Sequence, residues 1–415
     1  MTRSLHATTA RPAVDPRARA LRPLALCAAV VLAGCAGGAP DRMAGSRLLT
    51  LDGRAPLVVA HRGASGYLPE ETLEAYARAI ELGADVIEMD IAMTRDGELI
   101  TRHDPNLAIN TDVASHPEFA SRKKTMQVDG ETQTGWFSQD FTLAEIKTLG
   151  AVSTDAERPQ QFNGRFKVPT LREVIELVKA KSRETGRTIA IYPETKNPTW
   201  FRQLGLPMEE KLMAMIEAEG WNSKTAPVLV QSFEPGSLRF MKARGLRTRM
   251  VQLIDGDGID MKTGAITYAV PVDRPYEWTL AGDRRNFDVM VTPAGLAEIA
   301  TYADGIGPWK RYIVSVKGTL GADGKAIDRN GDGKVNDADY DALPATTLVA
   351  DAHKAGLFVH PFTFRNERRR LTGDTLGDPA NEYLAYYRLG VDGVFTDFTD
   401  TALQARAAYL KEAAR

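Results

Sequence analysis

Cysteine is almost absent: the 415 residues hold two, Cys27 and Cys35, both close to the N-terminus. Beyond that segment no disulfide can form, and no thiolate is available to a metal. Charge of one sign is not in excess either, with 52 Lys and Arg against 54 Asp and Glu. The basic domain that marks a nucleic-acid binder is therefore missing. No apolar run reaches the ~20 residues of a membrane-crossing helix. Histidine numbers only six, so its placement carries information.

The N-terminal segment has arginines at 3, 11, 17, 19 and 22, an apolar stretch from Pro23 to Ala33, and then Leu32-Ala33-Gly34-Cys35. A basic start followed by a dozen apolar residues reads as a secretory signal rather than part of the fold. The Leu-Ala-Gly-Cys ending resembles a bacterial lipobox, which implies cleavage before Cys35 and lipidation of that cysteine. Ala36 and Gly37 are similar to the residues that send Gram-negative lipoproteins to the outer membrane. The expected organisation is a signal peptide over 1–34, a flexible tether over 35–55 and one domain over 56–405. The expected location is the bacterial cell envelope, in the periplasm and anchored to the outer membrane.

From residue 57 short apolar runs alternate with helical periodicity. The runs are Leu57–His61, Val86–Ala92, Ile189–Glu194, Val228–Ser232, Met250–Leu253, Gly305–Trp309, Leu357–Thr363 and Gly393–Asp397. The segments between most of them place apolar residues three and four apart, as Leu73, Tyr76, Ala77 and Ile80 do before Gly83. Others run over 208–219, 236–244 and 294–303 and from Thr401 onward, and Thr170-Leu171-Arg172-Glu173 is a capping box. Eight strands with intervening helices imply a closed parallel (β/α)8 barrel, with an open doubly wound sheet as the alternative. Glu98–His103 makes a ninth strand, and the Arg95-Asp96-Gly97 link permits only an antiparallel hairpin. Residues 105–165 are polar and irregular, with one short helix for Thr142 and Glu145 to cap. They form an insertion after the second barrel strand, of a length that usually lines or covers a site.

Chemistry gathers at the ends of these runs. His61-Arg62-Gly63, Glu88-Met89-Asp90 and His103-Asp104 place two of the six histidines beside carboxylates and a guanidinium. Imidazoles move protons near neutral pH, and a guanidinium grips phosphate as a fork. Glu88 and Asp90, two apart on a strand, face the same side, and Glu194 ends the third run at the same height. Oxygen ligands without cysteine suit Mg²⁺ or Ca²⁺ better than zinc. The same acids could instead pair with Arg62 and Lys196 without a metal. The set is a parts list for metal-assisted cleavage of a phosphate ester.

The run from His61 to Glu70, with Glu88-Met89-Asp90 and His103-Asp104, resembles the glycerophosphodiester phosphodiesterase family. Tyr192-Pro193-Glu194-Thr195-Lys196, Val359-His360-Pro361-Phe362-Thr363 and Phe395-Thr396-Asp397-Phe398 resemble its periplasmic branch. The resemblance implies a TIM barrel that hydrolyses small-molecule glycerophosphodiesters to sn-glycerol 3-phosphate and an alcohol. It implies that His61 and His103 are the acid–base pair and that Glu88, Asp90 and Glu194 hold the cation, usually Ca²⁺. It places Arg62 and Lys196 close to the phosphate and carries Glu70, Phe362 and Arg365 over as substrate-site positions. It also implies attack by the substrate's own 2-hydroxyl and a cyclic phosphate opened by water. Two positions depart from the pattern: Glu71 stands where Asn is usual, and Phe362 where Trp or Tyr is common.

A second ion site is expected over 328–339. Asp328, Asn330, Asp332, Asn336 and Asp339 fall at positions one, three, five, nine and twelve, Lys334 offers its carbonyl at seven, and Gly333 turns the chain at six. The spacing resembles an EF-hand or dockerin calcium loop, most simply as a brace for a long connection. Arg365, Arg368, Arg369 and Arg370 could draw anionic diesters toward the mouth. Two other functions fit the barrel: a phospholipase acting on intact lipid or lysolipid, and an inactive surface-binding lipoprotein.

Overall fold

The computed structural model describes residues 48–415; the expected signal peptide, Cys35 and the first part of the expected tether lie outside the described residues. Residues 48–55 lie against the domain, where the Leu51 N–H donates to Asp392 at 2.6 Å.

Eight parallel strands form the frame: β1 (Leu57–Ala60), β2 (Val86–Met93), β3 (Ala190–Thr195), β4 (Leu229–Ser232), β5 (Arg249–Ile254), β6 (Gly305–Pro308), β7 (Phe358–Val359) and β8 (Gly393–Thr396). They pair in the order β7-β6-β5-β4-β3-β2-β1-β8. β7 and β8 meet through Asp392 N–H to Val359 O at 2.9 Å, Phe364 N–H to Phe395 O at 2.8 Å and Phe395 N–H to Pro361 O at 3.1 Å. These bonds bring the sheet round on itself as a nearly closed barrel. The seventh run is regular over two residues only, because Pro361 has no amide to give the ladder.

Helices follow the strands where the periodicity expects them, at Leu73–Leu82, Leu171–Thr185, Met208–Ala218, Pro235–Ala243, Pro293–Ile299 and Thr399–Ala413. Leu73–Leu82 starts on the Thr72 hydroxyl and stops at Gly83, whose φ of 110° suits a residue without Cβ. The capping box at Thr170 and Glu173 forms as the sequence suggests. Helix faces and strands share one large core, and Val59, Val86, Ala190, Tyr192, Leu229, Val251 and Phe395 form a separate plug. With the barrel interior filled, the usable opening is at the C-terminal ends of the strands.

The ninth strand, Leu99–Thr101, folds back antiparallel on β2, with Ile91 opposite Thr101. The Arg102 N–H donates to Asp90 O at 2.9 Å, which returns His103 to the level of Asp90. Residues 105–165 contain the expected capped helix, Leu143–Ile146. They also contain an antiparallel hairpin, Lys124–Val128 with Glu131–Gly135, where the sequence suggests only irregular chain.

Candidate active site

Parallel register decides which acids meet. Asp90 on β2 lies opposite Glu194 on β3, and Glu194 lies opposite Gln231 on β4. Glu88, Asp90 and Glu194 are 2%, 1% and 6% exposed, and each offers an oxygen within 4.8 Å of the others. The loop after β1 supplies the guanidinium, from a backbone at φ 57° for Arg62. Its N–H donates to Glu88 Oε2 at 2.8 Å, its Nε lies 3.0 Å from Asp90 and its Nη1 3.3 Å from Glu70. Gln231 donates to the second Glu88 oxygen at 3.1 Å.

The two histidines approach from different elements. His61 directly follows β1, and its Nδ1 is 2.6 Å from Asp397, which directly follows β8. His103 follows the hairpin, with Nδ1 3.0 Å from Asp104 and Nε2 3.1 Å from the Lys196 ammonium. Lys196 also reaches Glu194 at 3.1 Å. Both rings and the three acids belong to one arrangement at the barrel mouth, and a cleft of about 720 Å³ opens above it. Phe362 and Arg365 line this cleft, whereas Glu70 stands behind Arg62.

Burial and like charge set the electrostatics. Burial, with Asp90 and Glu71 nearby, pushes the Glu88 carboxyl well up. Burial also raises Glu194, to about 8; Lys196 opposes this and Asp90 adds to it. Burial works against ionised Asp90 as well, but Arg62, His103 and Lys196 outweigh it and hold that carboxyl down. Burial lowers His61, as does Arg62, with Asp397 acting the other way. Two cationic side chains thus leave part of the acid set without a counter-charge, and Asp90 Oδ2 has no hydrogen bond of good geometry. A hard divalent ion with oxygen ligands fits that deficit.

Four residues to which the sequence reading gave no role at the site belong here, although it noted Glu71 as a departure and Asp397 within a motif. Asp397 anchors His61, and Gln231 braces Glu88. Glu71 is fully buried behind β2, accepting from the Asp90 N–H at 2.9 Å and from the Tyr76 hydroxyl. Arg158, from the insertion, binds Asp397 at 2.5 Å. Asp397 ends the eighth strand run, a position that signals a role in any barrel of this kind; nothing local flags Arg158.

The 328–339 segment lies between two short antiparallel strands, Val316–Gly318 and Tyr340–Ala342. Asp328 accepts from the Gly331 and Gly333 amides at 2.7 Å each. Asp339 is buried and accepts from Arg329, Asn330 and Asn336 amides at 2.8, 3.1 and 3.0 Å. Among the described residues, the one set of three acidic or imidazole ligands gathered within 4.8 Å is Glu88, Asp90 and Glu194; Asp328, Asp332 and Asp339 are not drawn that close. Arg369 pairs with Asp155 and Glu157 of the insertion, and Arg370 lines the cleft.

Residues 61–401 match the glycerophosphoryl diester phosphodiesterase family. The glycerophosphodiester phosphodiesterase GDPD6 of Arabidopsis thaliana is 38% identical, over 83% of this chain and 84% of its own. A glycerophosphodiester phosphodiesterase of Haemophilus influenzae is 30% identical, over 92% and 96%. A solved structure from Silicibacter pomeroyi under the same family description superposes with a TM-score of 0.54 at 19% identity, covering 87% of this chain and 97% of that one. That likeness concerns the fold.

Proposed function

This chain belongs to the glycerophosphoryl diester phosphodiesterase family and is an enzyme of that class, and from this we propose a metal-dependent hydrolysis of glycerophosphodiesters to sn-glycerol 3-phosphate and an alcohol. One observation carries the proposal: His61 and His103 share a single mouth with three carboxylates whose oxygens lie within 4.8 Å. Glu88, Asp90 and Glu194 would hold one divalent cation, Ca²⁺ in preference to Mg²⁺. Such an ion supplies positive charge against the non-bridging phosphate oxygens.

The remaining chemistry belongs to side chains. Arg62 is fixed by its backbone N–H on Glu88 and its Nη1 on Glu70, while its Nε, 3.0 Å from Asp90, makes no hydrogen bond of good geometry, so the guanidinium keeps donor capacity for a phosphate oxygen. Lys196 provides a second positive charge beside His103. With Nδ1–H donated to a carboxylate, each histidine turns Nε2 to proton exchange, His103 once that nitrogen is released by the Lys196 ammonium that donates to it here. One histidine removes the proton of the glycerol 2-hydroxyl as its oxygen bonds to phosphorus, and the other protonates the departing alkoxide. Water then opens the cyclic phosphate with the two roles exchanged. Phe362 walls the cleft, and Arg365 adds positive charge there.

The test is release of glycerol 3-phosphate from glycerophosphocholine by purified protein, with and without chelator. Activity should vanish with the ion and return with Ca²⁺. His61→Ala and His103→Ala should each lose about 10²–10⁴ in turnover, the scale of one acid–base group. Near-normal turnover in both variants would remove the pair from the reaction. A lysolipid substrate is the second reading, because Val270 and Val272 are 75% and 55% exposed and Pro271 and Val272 line the cleft. Lysophosphatidylcholine in the same assay separates the two.

The proposal includes a second Ca²⁺ over 328–339, held by Asp328, Asn330, Asp332, the Lys334 carbonyl, Asn336 and Asp339. Its support is the ligand spacing, and calorimetric titration of the metal-free protein should count two ions, falling to one in Asp328→Ala. It also includes lipidation of Cys35 and attachment to the outer membrane from the periplasmic side, supported by the Leu32-Ala33-Gly34-Cys35 sequence. Radiolabelled palmitate should be incorporated by the wild type and not by Cys35→Ser.

A further inference from the structure

Asp397 is crowded by cations for a residue that touches no substrate phosphate in the mechanism above. It is 1% exposed. Its Oδ1 faces His61 Nδ1 at 2.6 Å, while Oδ2 accepts from Arg365 Nε at 2.8 Å and Arg158 Nη2 at 2.5 Å. Arg158 does more than pair with it. Nη1 donates to the Ser65 carbonyl at 3.1 Å, and Nε donates to Glu367 at 2.8 Å. The guanidinium lies 5.8 Å from the Phe398 ring centroid, and the side chain is 9% exposed. One guanidinium therefore joins the His61–Ser65 turn, the loop after β7 and the end of β8, three segments at the C-terminal ends of neighbouring strands. It reaches them from the 105–165 insertion, outside the repeating strand–helix pattern.

We propose that Arg158 is a positioning residue: by occupying Oδ2 of Asp397 and the Ser65 carbonyl together, it reserves Oδ1 for His61 and holds that imidazole with Nδ1–H on Asp397 and Nε2 toward the cleft. The insertion is thereby part of the acid–base apparatus. Arg365 cannot replace it. Arg365 makes one bond to Asp397 from a side chain 28% exposed, whereas the planar fork of Arg158 spans three acceptors at once. Loss of Arg158 leaves Asp397 Oδ2 half satisfied and lets the carboxylate rotate, so that His61 can exchange its tautomer. Removing one positive charge also favours the imidazolium.

This inference rests on the acid–base role given to His61, and its test separates the two. Arg158→Ala and His61→Ala are compared in the Ca²⁺-loaded enzyme with glycerophosphocholine. Arg158→Ala should lower kcat by about 10- to 100-fold, less than a full acid–base deletion, with KM nearly unchanged. The limb of the pH–rate profile that belongs to His61 should move upward. Millimolar guanidinium should restore part of kcat in Arg158→Ala and none in His61→Ala. Independently of turnover, ¹⁵N shifts of His61 should show one neutral tautomer in the wild type and averaging in Arg158→Ala. Folded Arg158→Ala with a wild-type His61 spectrum and wild-type kcat overturns the proposal. So does a loss of kcat with no rescue and no movement of the limb, which marks a purely structural contact. Normal turnover in His61→Ala would instead overturn the acid–base assignment, and the ¹⁵N spectrum would still decide the contact. If Arg158→Ala does not fold, Arg158→Lys is read by the same spectrum, since an ammonium cannot reach all three acceptors.

Discussion

At Glu71 a left-handed backbone (φ 60°) carries a carboxyl that is completely buried behind the acid set. Asparagine tolerates that backbone better than glutamate does, so the side chain must return something. It accepts the Asp90 N–H at 2.9 Å and the Tyr76 hydroxyl, and its own carbonyl accepts from Arg102 at 2.9 Å. Burial, and then Asp90, push the carboxyl well above its ordinary range. Glutamine keeps a carbonyl oxygen for the Asp90 N–H, turns the second contact round so that its NH2 donates to the Tyr76 oxygen, and removes a latent negative charge from beside Glu88 and Asp90. Glu71→Gln should therefore fold, and in chelator be at least as stable as wild type. Glu71→Ala leaves two buried donors without an acceptor, at about 1–3 kcal/mol each. Urea unfolding of the metal-free proteins checks the pair, and equal stability of Ala and Gln variants would refute the argument.

Among the elements, legibility followed apolar patterning. β2 and β3 are fully buried and rich in apolar residues, so their places, and the shared face of Glu88 and Asp90, could be read directly. The short Arg95–Gly97 link was enough to bring His103 back to that face. The Lys124–Gly135 hairpin was hidden because its strands are mostly exposed and polar, although Asp129-Gly130 is a hairpin-turn pair. The Arg158–Asp397 contact spans 239 residues and leaves no local mark. What holds the β1 loop is close approach: Gly63 has φ 87°, and a Cβ there would lie 2.7 Å from the Ala75 carbonyl carbon. Gly97 has φ 79° with nothing within 4 Å. Gly97→Ala should thus cost about 1–2 kcal/mol of backbone strain. Gly63→Ala adds a packing clash of about 1–3 kcal/mol and moves Arg62 off Glu88, so its kcat should fall while that of Gly97→Ala holds. Denaturant midpoints and turnover of the two variants give the comparison.

For the molecule as a whole, the acid set couples folding to pH and, through the proposed cation site, to metal. Glu194 is raised to about 8 and Glu88 is raised as well, chiefly by burial. A carboxyl whose folded pKa exceeds its unfolded value of about 4.3 favours the native state below that value. The contribution is lost as pH rises through the folded pKa. Asp90 and Asp397 are lowered despite burial, by Arg62 for the first and by Arg365 and Arg158 for the second. Their contribution has the opposite sign: it is present above about 3.9 and lost in stronger acid. Metal-free protein should therefore be most stable in mild acid, with Tm declining from pH 5.5 to pH 8. A divalent ion supplies the missing counter-charge to the ionised acids and stabilises by about 2.7 kcal/mol at 100 times its Kd. Its Tm increment should be larger at pH 8 than at pH 5.5, because at the lower pH protons compete for the same oxygens. Asp328→Ala separates any ion in the 328–339 loop from the one at the mouth. With that variant the pH-dependent part of the increment should persist, whereas Glu194→Gln should abolish most of it. A chelated protein whose Tm rises between pH 5.5 and pH 8 would show that the three carboxyls are already neutralised by Arg62 and Lys196, with no deficit left for a cation.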